Sequence, residues 1–109
     1  RVPALAAIGN DLGFEHIFRR EVEAIGKPGD LLVGITTSGG SKNVMLAMQQ
    51  AKQMGIATAL LCGEARGACA EYSDVAVHVP STNTARVQES HLVCVHIVCA
   101  AVEDALSNS

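Results

Sequence analysis

Apolar residues recur at helical spacing between Phe14 and Ile25, where Phe14, Ile17, Phe18, Val22 and Ile25 interleave with Glu15, Arg19, Arg20, Glu21 and Glu23. That period predicts an amphipathic helix over 14–25, capped by Asn10 or Asp11 and ended by Gly26 and Pro28. Leu31-Leu32-Val33-Gly34-Ile35 then runs apolar without alternation, the pattern of a strand buried on both faces. From 41 to 54 the helical period returns. Val44, Met45, Ala47, Met48, Ala51 and Met54 share one side, the methionines reading as core, while Lys42, Asn43, Gln49, Gln50, Lys52 and Gln53 cover the other. Gly55 ends this helix, and 56–61 reads as a second buried strand. A short helix around 66–71, a third strand over 75–79 and a polar loop through Pro80 to Thr84 follow. The final helix, about 85–106, is apolar around much of its circumference, which predicts burial.

Strands alternating with helices predict right-handed crossovers and a mostly parallel sheet, that is, an α/β, doubly wound architecture. Three strands are few for such a sheet. The chain also opens at Arg1, without Met or a signal-peptide pattern, on residues that look like the middle of a fold. The expectation is a partial domain over 1–109, with no internal repeat, low-complexity tract or linker.

Composition narrows the function classes. The chain has 109 residues, 49% of them hydrophobic, and a formal net charge of −3, which excludes a disordered chain. A mildly acidic balance without a basic block argues against nucleic acid or an anionic membrane as the partner. Nor does any unbroken apolar run approach the ~18 residues of a spanning segment, so no membrane segment is expected. Three aromatics, Phe14, Phe18 and Tyr72, leave little for stacking on bases or sugars. Cys62, Cys69, Cys94 and Cys99 allow three pairings, but Cys94 and Cys99 point in different directions on a helix. All four are expected reduced, in a cytoplasmic protein.

The stretch with most chemistry is Gly34-Ile35-Thr36-Thr37-Ser38-Gly39-Gly40-Ser41, between a strand and a helix N-terminus. Ligands of open α/β sheets bind at the carboxyl ends of strands. Glycines let the backbone approach an anion, and a helix N-terminus offers free N–H groups and a positive dipole end. With the hydroxyls of Thr36, Thr37, Ser38 and Ser41, this loop would suit a phosphate without a buried cation. It is neither a Walker loop nor a G-x-G-x-x-G dinucleotide loop. The plainer reading is a hydrophilic turn with Ser41 as N-cap.

The other stretch runs from Arg86 to His96 on the last helix. At about 100° per residue, Gln88, Leu92 and His96 form a drifting stripe, with Gln88 and His96 about 80° apart. Cys94 lies about 160° from His96, so the His/Cys-rich run cannot make one four-ligand zinc cluster. A His in an apolar helix is more often a satisfied core residue than a catalyst, and this holds equally for His91 and His96. His16 and His78 are expected at the surface or a strand edge, Asp11 reads as an N-cap, and Glu89 lies on a solvated face or a subunit contact.

Taken together, Gly9-Asn10-Asp11-Leu12-Gly13-Phe14, the Thr37-to-Ser41 loop and Arg86-Val87-Gln88-Glu89-Ser90-His91 resemble, in order, the motifs of the sugar isomerase (SIS) domain. Within it the likeness is to the bacterial phosphoheptose isomerases acting on sedoheptulose 7-phosphate. It covers about Ile8 to Leu106 and implies a flavodoxin-like fold, of which this chain is the C-terminal portion. The resemblance implies a cytoplasmic homotetramer with sites between subunits and an aldose–ketose interconversion to D-glycero-D-manno-heptose 7-phosphate. By position, Thr36, Thr37, Ser38 and Ser41 would hold the phosphate, and Asn10 and Asp11 the sugar. Gln88 and His96 would reach the reacting end, with His96 as general acid or base and the pair holding a zinc ion, as in several members. The family's first half is absent, including its first strand and the helix bearing a His and the catalytic Glu, so the chain alone is expected not to turn over. The connection from Val2 to Ile8 is shorter than in relatives, and Ala85 stands where many of the isomerases carry Asp. Two alternatives remain: a non-catalytic SIS protein of the kind that binds a replication initiator, and an isomerase for another sugar phosphate. Retention of Ser38, Ser41 and His96 favours the enzyme.

Overall fold

The computed structural model describes residues 14–107 apart from 66. A 3-10 turn, Phe14–His16, leads into helix α1, Ile17–Ile25. Strand β1, Leu31–Ile35, helix α2, Lys42–Gln53, and strand β2, Ala57–Cys62, follow. A second 3-10 turn, Ala68–Tyr72, precedes strand β3, Val75–His78, and the chain closes on helix α3, Thr84–Ser107. The sheet has the order β1-β2-β3 and is parallel throughout. Leu31 pairs with Ala57 and Ile35 with Leu61, while Ala59 pairs with Val75 and Cys62 with His78. The α/β reading therefore holds.

The core lies between α2 and one face of the sheet. Met48, Leu60, Cys62 and Cys69 are fully enclosed, and Val22, Ala47, Ala51 and Ile56 form an adjoining cluster under α1. Gly34 sets how closely α2 can approach: a Cβ there would meet Met48 Sδ at 2.8 Å and Val44 Cγ1 at 3.0 Å. Thr58 is the one buried hydroxyl of β2. Its Oγ1 donates to Tyr72 O (2.6 Å) and its backbone N–H to Asp74 Oδ2 (2.8 Å), so burial costs it no hydrogen bond. Asp74 in turn pairs with Lys52 at 2.5 Å. The Lys52 ammonium and the Thr58 N–H hold its carboxyl below the usual carboxylate range.

Two expectations are corrected. β1 is not covered on both faces among the described residues: Leu31, Val33 and Ile35 are 57%, 41% and 48% exposed. Helix α3 is not a buried helix, since only Val87 and His91 on it are enclosed and Leu92, Ile97 and Leu106 stand in the open. By length and composition alone α3 would also be able to cross a membrane.

Candidate functional site

The loop between β1 and α2 sits at the carboxyl end of the sheet, where the strand delivers it to a helix N-terminus. Its hydroxyls are tied to one another. Thr36, almost fully buried, has its Oγ1 2.8 Å from Ser41 Oγ and 3.5 Å from Ser38 Oγ, and its N–H donates to Leu61 O. Ser38, which is exposed, accepts the Gly40 N–H on Oγ at 3.2 Å. Its own O–H therefore remains to donate. Ser41 occupies the N-cap position of α2, but its side chain makes no cap bond. The hydroxyl is spent on Thr36 instead, which corrects the plain N-cap reading; the Val44 N–H donates to Asn43 Oδ1 at 2.9 Å, and the N–H groups of Lys42 and Asn43 are left for another acceptor.

The orientation of the loop backbone follows from its carbonyls. Thr37 O packs against the α-carbon of Gly63, and Gly39 O accepts the Cys69 N–H at 3.0 Å. Both carbonyls thus turn toward the segment after β2. In a trans peptide the N–H of the next residue points the opposite way, so the N–H groups of Ser38 and Gly40 point away from that segment, the Gly40 N–H being taken up by Ser38 Oγ. Together with the amino end of α2, this is a backbone arrangement able to receive an anion.

Opposite the loop stands the first half of α3. Thr36, Thr37, Ser41, Gln88 and His91 line one open cavity of about 570 Å³ that continues past Leu92 to Val95. The structure thus joins three of the four loop hydroxyls with Gln88. Ser38 lies outside that lining, and His96, though it follows Val95 directly, is exposed and does not line it. Asn10 and Asp11 lie outside the described residues. No group of three His, Cys, Asp or Glu side chains able to hold a metal occurs among the described residues. Gln88 and His96 therefore amount to at most two of the four ligands a zinc ion takes, and the described residues do not by themselves complete a zinc site.

Sequence reasoning ranked His91 no higher than His96, yet the two differ sharply. His91 is 3% exposed and its Nε2–H donates to Cys62 O at 2.9 Å, tying α3 to the end of β2. Its Nδ1 is closed to solvent with no hydrogen-bond partner among the described residues. His78, expected at the surface or a strand edge, ends β3, the edge strand of the described sheet, and is half-buried, with Nδ1 3.0 Å from Cys62 Sγ and 3.3 Å from Gly63 O. No disulfide joins the four cysteines. Cys69 is also fully enclosed, and burial, with Cys62 nearby, pushes its thiol up. It therefore stays protonated and its S–H reaches Ser41 O at 3.5 Å. The glycines at 63 and 67 carry a turn signal in the sequence, but nothing local marks them as loop supports.

The SIS domain family model matches residues 11–102. Phosphoheptose isomerases of Rhodospirillum rubrum and Campylobacter concisus are 47% and 50% identical to the chain over 102 residues, 94% of it and 54% of each relative. The chain spans about half the length of these curated relatives. Among solved structures, the phosphoheptose isomerase of Neisseria gonorrhoeae superposes with a TM-score of 0.88 at 42% identity, over 93% of this chain and 57% of that one. A phosphoheptose isomerase from Francisella tularensis does so at 0.87 and 37%, over 91% and 53%.

Proposed function

Because the chain belongs to the SIS domain family, we propose that it is the C-terminal portion of a phosphoheptose isomerase, acting on sedoheptulose 7-phosphate. The observation that carries this reading is the shared cavity of the loop hydroxyls and Gln88 at the amino end of α2. A phosphate dianion there accepts from hydroxyls and outward-facing N–H groups, with no cation in the lining. The relatives' shared name supplies the substrate class.

The mechanism follows from where the parts lie. Phosphate held by Thr36, Thr37, Ser38 and Ser41 is remote from the reacting carbons, so its binding energy serves to position them. The cavity runs along α3 from Gln88 to Val95, about 10 Å of helix at the usual rise, and His96 comes next. The heptose chain lies in that groove with its carbonyl end toward His96. A base lifts a proton from C1 of the ketose, the enediol forms as a proton passes between O1 and O2, and a proton returns to C2. Imidazole titrates near neutrality and suits either direction of transfer, so His96 is assigned as general acid or base. Gln88 hydrogen-bonds the substrate, and Asn10 and Asp11 are assigned to its hydroxyls. A second acid/base group, the family's Glu, comes from the half of the fold outside this chain. No step is assigned to zinc, for which Gln88 and His96 would need further ligands from that half.

The parent is read as a cytoplasmic homo-oligomer, a tetramer by family resemblance, with a sugar phosphate and neither nucleic acid nor membrane as its partner. The exposed apolar stripe of α3 supports the subunit contact. The test is incubation of the full-length polypeptide with sedoheptulose 7-phosphate, with and without a chelator, followed by NMR. A new aldose phosphate that disappears in the His96→Ala variant is expected. No turnover by a folded, phosphate-binding protein would move the assignment to a binding module or another sugar.

A further inference from the structure

We infer that the segment following β2 sets the shape of the phosphate loop, with Gly67 and Cys69 as positioning residues that act through the backbone of Gly39 and Ser41. The inference rests on the reading of that loop as a phosphate site and deepens it.

Gly67 has φ +59° and ψ −178°, a conformation L side chains rarely adopt, and its α-carbon is pressed onto Gly39. A Cβ at 67 would fall inside the van der Waals surface of the Gly39 carbonyl, reaching both its oxygen and its carbon. These are backbone atoms and cannot swing aside as a side chain would, so the loop itself would have to move. Two residues on, the Cys69 N–H fixes the same carbonyl at 3.0 Å, and the Cys69 S–H reaches Ser41 O at 3.5 Å. Gly63 adds a third point, since a Cβ there would lie 2.7 Å from Thr37 O. The carbonyls of Thr37, Gly39 and Ser41 are thus held from one side by a segment that contributes no side chain to the cavity lining. Holding the carbonyls fixes the N–H groups of Ser38 and Gly40 on the other side, because each peptide plane is rigid. Displacement of Gly39 O rotates the Gly40 N–H, which holds Ser38 Oγ at 3.2 Å, and so misplaces the Ser38 hydroxyl without removing any ligand hydroxyl.

The test measures binding of inorganic phosphate to the full-length polypeptide by titration calorimetry. Gly55 provides the control. It also has positive φ, +75°, but a Cβ there meets nothing within 4 Å. Gly55→Ala imposes comparable backbone strain with no push on the loop and should leave phosphate affinity within about twofold. Gly67→Ala should weaken it about tenfold or more, as misplacement of a binding loop does. Cys69→Ala, which keeps the backbone N–H and removes only the sulfur tie, should lose about three- to tenfold. Cys69→Ser, which restores a donor to Ser41 O, should recover most of that loss. Cys69→Ala and Cys69→Ser decide the matter if Gly67→Ala does not fold. Wild-type affinity in Gly67→Ala or in Cys69→Ala overturns the inference, as does equal loss in Gly55→Ala. Failure of the wild-type protein to bind phosphate would instead overturn the phosphate reading beneath it.

Discussion

Replacement of His91 separates what its two nitrogens do. Nε2–H donates to Cys62 O at 2.9 Å, a bond worth about 1 kcal/mol net. That carbonyl also accepts the Val79 N–H at 3.0 Å, so it is not orphaned when the imidazole goes. Donation from Nε2 leaves Nδ1 as a bare acceptor in the neutral ring, enclosed and unpaired among the described residues, at a cost of about 1–3 kcal/mol. His91→Phe removes both contributions and keeps most of the ring volume, so the two effects roughly cancel. We expect stability within about 1 kcal/mol of wild type, or a small gain. His91→Ala empties the same 97%-enclosed position and should cost about 2–4 kcal/mol. Urea unfolding of the full-length polypeptide at neutral pH reads both values from the midpoint, provided the slope is unchanged. If His91→Phe is as damaging as His91→Ala, Nδ1 has a partner and the reasoning is refuted.

Three further outcomes are expected. Ser38→Ala removes an exposed hydroxyl and should leave stability unchanged while weakening phosphate about tenfold or more, the value of a hydrogen bond to a charged group; unchanged affinity in calorimetry would remove Ser38 from the site. Replacing His96 by Ala should lower kcat by about 10²–10⁴ with phosphate affinity retained, since His96 lies off the lining around the loop; loss of phosphate binding would contradict the placement. The third concerns pH. Asp74 has its folded pKa depressed, first by the Lys52 contact and then by the Thr58 N–H, so its contribution is present above the unfolded carboxyl value and fades as pH falls through the folded one. The stability gap between wild type and Asp74→Asn should therefore be constant from pH 6 to 8 and close below about pH 4. A gap that persists at pH 2 in urea titrations would show that the carboxylate charge is not its source.

The elements were legible because their signals are local. Leu31–Ile35 is the strand read from its apolar run, and α2 and α3 end within a residue of where Gly55 and the polar residues around 84 and 107 stop the period. What failed depended on partners far along the chain. An apolar run shows that a side chain wants cover but not which segment supplies it, so the bare faces of β1 and α3 could not be foreseen. Ser41 had two equivalent local choices, the N–H groups of its own helix or the hydroxyl of Thr36, and closure of the loop decided between them. His91 and His96 occupy the same apolar stretch, and only the seating of α3 on the end of β2 buries one and exposes the other. Gly67 is an ordinary turn glycine until the loop of 36–41 is laid against it.

The apolar surface left open is too extensive for scattered exposure to explain. One sheet face presents Leu31, Val33, Ile35, Val75 and Val77, and α3 presents Leu92, Val93, Ile97, Val98, Val102 and Leu106. An apolar hollow of about 480 Å³ beside β1, lined by Phe18, Val22, Ile25 and Leu32 among others, opens at the same side. Lipid and protein are the two ways of covering such surface. Lipid fails on length for α3. His91 pins the helix to Cys62 O, so the free part runs from Leu92 to Leu106, about 22 Å at 1.5 Å per residue, against the ~30 Å hydrocarbon core a spanning helix must cross. It fails on chemistry as well, since His96, Glu103 and Asp104 lie within that length. For the sheet the argument is stronger, because among the described residues β1 pairs only with β2, and the backbone groups of its other edge have no strand partner there that would spare them from lipid. A further strand satisfies that edge, and helices satisfy the face beside it. The surface therefore calls for protein as its cover, on the sheet face and along α3 alike.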